Sequence, residues 1–431
     1  MATTQDYLTQ LQTDKENLVN NLISKGVEAS NEETFTTLVP KVNDIETGGS
    51  SGGDIDWTAI GYSSAPQTVI DAYDYALEIK NNWNIDDTSM SYEFNYDENL
   101  VYMPVLDTSN VTTFSNCFRA CTNLTSVPKL DTSKSKSFDE MFFNCTRLTS
   151  IPNLDTSNAT NMGGMFYGCN NLLSIPNLST SNVTKFSNMF HECRKLEAIP
   201  NLDTSKGTDM SSMFYRCNNI TSIPNLNTSN NAKFNAMFYE CTKLEAIPNL
   251  DTSKGTDMSS MFYGCNNITS IPNLNTSNNI KFSSMFRSCT KLEAIPNLDT
   301  SKGTDFYGMF EYCNVLTSLP ELDMSSCYNA QLMFSNCKNI VNLEGFLNLG
   351  KGYTQKQSNY NYYTMTLSTL SQLTHDSLMN IINKVYDLNL TYDVTNGGTL
   401  YTQKLTIGST NLAKLTAEEI AIATNKGWTV S

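Results

Sequence analysis

Ten cysteines, from Cys121 to Cys337, stand 24 residues apart without a single insertion or deletion. Ten prolines, from Pro104 to Pro320, keep the same interval. Only Cys117 and Cys327 fall outside the cysteine series. A chain that repeats itself this strictly folds as a stack of equivalent units. Each unit buries its apolar side against its neighbours, because it is too small to bury it alone.

One unit, "DTSKSKSFDEMFFNCTRLTSIPNL" (Asp131–Leu154), shows what a rung must be. Phe138, Met141, Phe142 and Cys145 lie at i, i+3, i+4 and i+7, one face of a short helix. Serine and threonine upstream supply caps for its amide groups. Leu148, Ile151 and Leu154 then point inward from an extended segment. The expected fold class is an α/β repeat solenoid of ten 24-residue rungs, each a short helix plus a short parallel strand. Proline follows the inward isoleucine and has no N–H for a ladder, so two to four paired residues near Thr149–Ile151 are expected.

Three polar columns run along such a stack. The asparagines after each proline, from Asn153 to Asn297, read either as an amide ladder that satisfies backbone groups or as a polar binding stripe. Asp107, Asp131, Asp155, Asp203, Asp251, Asp299 and Asp323 alternate with Ser179, Asn227 and Asn275. That mixture fits side-chain capping of a turn better than a carboxylate pair for glycoside hydrolysis or a Ca²⁺ site. Stacked cysteines would come within disulfide range. The N-terminus, "MATTQDYLTQLQTDKENL", lacks the basic and apolar regions of a Sec signal, which predicts synthesis in a reducing cytoplasm and buried free thiols. No C-x-x-C zinc pair, G-x-S-x-G, H-E-x-x-H or Walker motif occurs. His191 stands where the repeat has tyrosine, and with His375 reads as a surface residue rather than a base. No cofactor, metal or catalytic constellation is expected.

The surface is where the repeat varies. The position after each Met-Phe pair gives an outward stripe of Tyr167, His191, Tyr215, Tyr239, Tyr263 and Arg287. It reads either as packing on the next rung or as a platform for sugars or a protein partner. Segments 193–240 and 241–288 match at 41 of 48 positions. Five of the seven differences, including Arg216/Gly264, Tyr239/Arg287 and Glu240/Ser288, fall on the outward side of the predicted helix. Tyr167, His191, Tyr215, Arg216, Tyr239, Glu240, Tyr263 and Arg287 are therefore the candidate binding residues.

The ends differ from the middle. Residues 1–47 read as two amphipathic helices for attachment or oligomerisation, and 48–53 ("GGSSGG", Gly48–Gly53) as a flexible linker. Residues 54–103 form an N-terminal cap with a helix from about Gln67 to Asn82. The solenoid covers 104–342, and 343–431 make a larger α/β cap. That cap holds a helix in Leu373–Leu388, a strand in "YTQKLTIG" and a last helix in "TAEEIAIATNKGW". The first 100 residues carry 18 of the 43 acids and 4 of the 28 bases. The body is nearly neutral, which excludes a basic surface for nucleic acid or anionic lipid. No apolar run is long enough for a membrane span.

"LDTSNVTTFSNCFRACTNLTSVPKL" (Leu106–Leu130) resembles the BspA-like leucine-rich repeats of bacterial surface proteins and some phage tail proteins. The resemblance covers residues 98–342 and rests on DTS, MF, the cysteine and the L-x-x-I spacing. "I-P-N-L" departs from longer units of that family and puts the regularity of the strand in question. Tyr7–Ile45 and "LTAEEIAIATNKGWTV" are similar to the ends of tail and tail-fibre proteins from phages of Gram-positive bacteria. The resemblance implies a virion tail fibre or receptor-binding protein. It would be made in the host cytoplasm, joined to a tail or baseplate protein by its N-terminal helices as a homotrimer, and would bind a host surface glycan or protein. The alternative is a bacterial cell-surface leucine-rich-repeat adhesin. A glycan-degrading enzyme stands third.

Overall fold

The computed structural model describes residues 75–76, 78–101, 103–351, 364–391 and 403–431. The expected attachment segment and linker, and most of the helix drawn from Gln67, lie outside them. Residues 78–82 are helical, and the helix stops at Asn82. Trp83 then donates its indole N–H to the Asp107 carbonyl at 2.8 Å, fastening this helix to the first rungs.

The inward set is the one the spacing predicts. Phe138, Met141, Phe142, Cys145 and Leu148 are fully buried, and every rung repeats the pattern. Local backbone structure is not what the spacing suggests. In place of the expected short helix, each rung is a chain of overlapping turns. Met141 N–H donates to Phe138 O at 3.2 Å, Phe143 to Glu140 at 3.1 Å and Cys145 to Phe142 at 3.1 Å. The intervening amides leave the rung. Those of Phe138, Glu140, Phe142 and Asn144 donate to the carbonyls of Asn161, Gly163, Met165 and Tyr167 in the next rung. Glu140 (φ 51°) and Asn144 (φ 55°) sit in the left-handed region that turns their N–H groups sideways.

Two effects favour this ribbon. An isolated helix of two turns is unstable in water. The ribbon also gains inter-rung hydrogen bonds, which offset about 1–2 kcal/mol of strain at each left-handed non-glycine residue.

The strand expected near Thr149–Ile151 shrinks to one inter-rung bond, Leu173 N–H to Thr149 O at 3.1 Å. Proline explains the loss. Glu344 fills the proline slot of the last rung, and its N–H donates to Leu319 O at 3.2 Å. Proline cannot make that bond in the earlier rungs. Among the described rungs, strands form only at this end: β1 (Ser318–Leu319) pairs in parallel with β3 (Asn342–Leu343), and β2 (Leu322–Asp323) with β4 (Phe346–Leu347). Elsewhere a line of single parallel bridges, from Ser137–Asn161 to Asp305–Asn329, runs along the start of the turn ribbon.

The core is a ladder of identical side chains. Phenylalanines from Phe94 to Phe334 stack ring on ring, with centroids 5.5–5.8 Å apart. Each cysteine of the series donates its thiol proton to the carbonyl of the phenylalanine 27 residues earlier, at 2.7–3.1 Å. All twelve cysteines are buried, as thiols rather than disulfides. The stack begins one rung before the expected boundary at 104. Met90 and Phe94 already occupy core positions, and their amides donate to Thr113 and Cys117. Asp97 stands in the cysteine slot of this rung and accepts a 2.7 Å hydrogen bond from the Tyr75 hydroxyl.

An α/β unit closes the C-terminal end of the stack. Helix α1 (His375–Lys384) is capped by Thr374, whose hydroxyl accepts from Ser377 N–H. It lays Leu378, Ile381 and Ile382 into the core. Beyond it, β5 (Thr364–Thr366), β6 (Gln403–Thr406) and β7 (Trp428–Val430) form a parallel sheet in that order. A one-turn helix, α2 (Ser409–Leu412), leads to α3 (Ala417–Thr424), whose Thr416 and Glu419 make a reciprocal capping box.

Candidate functional site

The outward residues of the turn ribbon form one continuous column. Centroid separations are 4.4 Å for Phe143–Tyr167, 4.1 Å for Tyr167–His191 and 4.2 Å for His191–Tyr215. They are 4.3 Å for Tyr215–Tyr239 and 4.4 Å for Tyr239–Tyr263. An arginine closes each end: the Arg119 guanidinium lies 4.1 Å from the Phe143 centroid, and that of Arg287 lies 5.6 Å from Tyr263. Each ring therefore packs on the ring of the next rung, and its faces are used up. Sequence reasoning found Tyr167 to Arg287 and missed Phe143 and Arg119. Counting back two further periods of 24 from Tyr167 would have found both.

The column also marks the direction in which the solenoid bends. Neighbouring residues on one ribbon, Phe142 and Phe143, see their counterparts in the next rung at 5.8 Å on the buried side and 4.4 Å on the outer side. Inter-rung hydrogen bonds shorten in the same direction, from 3.0 Å at Phe138 to 2.6 Å at Asn144. Rungs lean together on the aromatic side, so that side is concave. The proline corner opposite, with few inter-rung bonds, is the outer side of the curve.

A charged column runs beside the rings. Arg216 donates to Glu192 at 3.2 Å and to Glu240 at 2.8 Å, joining three rungs. Arg119 pairs with Glu140 at 3.0 Å, and Arg287 with Glu311 at 3.1 Å. The hydrogen bonds Arg216 donates to Glu240, then to Glu192, hold its pKa above its usual range. Arg216, Glu240 and Arg287 thus bind neighbouring side chains first. With these side chains partly exposed, each pair contributes a few tenths of a kcal/mol to ~1 kcal/mol. None of the seven differences between the duplicated segments replaces a buried side chain of the first copy.

His191 is not the plain surface residue the sequence suggests. It is half-buried between Tyr167 and Tyr215, and its Nδ1 is enclosed without a hydrogen-bond partner. Burial is the main cause that lowers its pKa from 6.5 to about 4; nearby Arg216 acts the same way and Glu192 opposes them. Between those values the unfolded chain takes up a proton that the folded chain refuses. Stability contributed by neutral His191 is thus complete above pH 6.5 and is lost as pH falls towards 4. Allowing for its partial exposure, the loss is at most ~2 kcal/mol. Urea unfolding at pH 7 and pH 4.5 should show this loss in the native chain and a smaller one in His191→Tyr. Equal losses in both would refute it.

The remaining columns separate cleanly. Asp131 Oδ1 accepts from Ser133 N–H at 3.0 Å, and Asn227 does the same for Ser229, so these slots cap turns. The post-proline asparagines do not make the expected amide ladder. They are exposed, and their side chains make no hydrogen bond among the described residues. Asparagines elsewhere do bridge rungs, such as Asn158, whose amide donates to Ser133 O at 2.7 Å. Among the described residues no group of three or more His, Cys, Asp or Glu side chains could hold a metal. No described helix is long and apolar enough to cross a membrane.

One family model matches the chain over residues 88–175, 139–249, 170–270 and 234–345, and together these cover more than half of its length. Its description is "Mycoplasma protein of unknown function, DUF285". The chain belongs to this family. The matched span begins where the rungs begin, at the turn that carries Met90 and Phe94 rather than at residue 104. No curated protein matches the sequence. Solved structures with similarity include a TLR13–ssRNA13 complex, at 16% identity and a TM-score of 0.26 over 74% of this chain and 48% of that one. The chain thus spans about half the length of that structure. A leucine-rich repeat protein of T. pallidum matches at 18% identity and a TM-score of 0.19, covering 50% of this chain and 72% of that one. An internalin (inlF) of Listeria monocytogenes matches at 14% identity and a TM-score of 0.23, covering 58% and 76%. The named matches include no catalytic family.

Proposed function

We propose that the chain is a recognition protein of the surface-adhesin kind, a rigid leucine-rich-repeat-like scaffold whose concave face meets its partner. The observation that carries this reading is the unbroken aromatic column on the inner side of the bend, flanked by arginines and carboxylates fixed in place. A face preorganised by stacking and ion pairing loses little entropy on binding. The tail-fibre reading draws on the two ends. One lies outside the described residues and the other is an α/β cap, so neither adds support to it. The family match covers the solenoid alone.

The test is binding of fluorescently labelled full-length chain to a panel of Gram-positive, Gram-negative and animal cells. Ser211→Arg with Ser259→Arg places bulk on the concave ribbon without touching the phenylalanine core. It is expected to reduce binding at least tenfold. Asn225→Arg with Asn249→Arg, on the opposite corner, is expected to leave binding unchanged. Binding that fails only in the second pair, or that no cell type shows, would sink the proposal.

A further inference from the structure

We infer that the concave face takes a neutral, hydroxyl-rich linear polysaccharide lying parallel to the solenoid axis; this rests on the recognition role proposed above. Ring faces usually hold sugars by stacking, but here each face is covered by the next ring or by a closing arginine. What the column offers instead is ring edges and phenol hydroxyls, repeated at the 4.1–4.4 Å spacing of the stack. The hydroxyls of Tyr167 and Tyr215 have no hydrogen-bond partner among the described residues. Beside the ridge the ribbon carries further partly exposed hydroxyls at Ser187, Ser211, Ser212, Ser259 and Ser260.

Charge decides between polymer classes. A polyanion needs free cations, and here the three arginines of the face, Arg119, Arg216 and Arg287, are each already paired with a glutamate. Breaking those pairs to bind phosphate or uronate would leave carboxylates facing the ligand. A neutral polymer leaves the pairs intact and hydrogen-bonds to the hydroxyls. An extended protein segment would want apolar pockets for its side chains, and the face has a continuous ridge instead.

Affinity electrophoresis of the full chain tests this, in native gels cast with hydroxyethyl cellulose, galactomannan or laminarin, and with alginate or heparin as anionic counterparts. At least one neutral polymer should retard the chain. Tyr167→Phe with Tyr215→Phe, which keeps both rings, should weaken that retardation about tenfold, as expected for two lost hydrogen bonds. Retardation by none of the neutral polymers, by the anionic ones alone, or equally in the variant would overturn the inference. Cell binding separates this failure from failure of the recognition role. Binding that survives periodate oxidation of the cells and is abolished by protease would leave the role standing and assign it a protein partner.

Discussion

Phe238→Ala is expected to destabilise the solenoid by about 3–5 kcal/mol and to split its unfolding into two steps. Phe238 is fully buried and stacks on Phe214 at 5.7 Å and on Phe262 at 5.8 Å. Truncation leaves a cavity of nearly a whole ring and removes two aromatic contacts, each adding ~0.5–1.5 kcal/mol beyond burial. In a stack where each rung touches only its neighbours, a weak central interface uncouples the two halves. Calorimetry of the full chain should resolve two transitions in the variant where the native chain shows fewer. Tyr239→Ala, one residue on but outward, removes a ring that solvent can partly replace and should cost no more than ~2 kcal/mol. A loss below 2 kcal/mol with no change in cooperativity for Phe238→Ala would refute the ladder as the main source of cohesion.

That ladder was legible in the sequence because its period is absolute. Phe138, Met141, Phe142 and Cys145 fill the core as their spacing requires. The same spacing could not distinguish a helix from a chain of turns, since both repeat their inward side every three to four residues. Evidence against a helix did lie in the residues at the left-handed positions. Gly164 and Gly168, Asn144 and Asn188, and the serines at 212, 260 and 284 are residue types that avoid helix interiors or tolerate positive φ. The first rung was hidden because Asp97 replaces the cysteine that marks the others. In the candidate site, the outward stripe was visible from arithmetic on the period. Its bending and the pairing of Arg216 were not, because both depend on distances between rungs 24 residues apart.

The cysteine ladder makes a second large effect expected: the chain should unfold steeply above about pH 9. Burial pushes Cys121, Cys265 and Cys337 up to about 12 and holds the other thiols of the series well above the ordinary value of 9. Between those limits the unfolded chain gives up protons that the folded chain keeps. Stability is then complete below pH 9 and falls as pH rises towards 12. Each buried thiol contributes a loss of ~1.4 kcal/mol per pH unit. Ten of them together reach on the order of 10 kcal/mol at pH 10, as large as the whole stability of many domains. Replacing Cys217, Cys241 and Cys265 with alanine removes three thiol–carbonyl hydrogen bonds of 3.0 Å. That variant should be less stable than the native chain at pH 7 by about 1 kcal/mol per site, yet should lose less between pH 8 and pH 10.5. Urea midpoints followed across that range, with a thiol reagent reporting exposure, measure both effects. Midpoints that decline in parallel for the two chains would mean that the thiols do not govern the alkaline transition. Converging midpoints would identify the repeated cysteine as a packing residue whose neutrality is a condition of the fold.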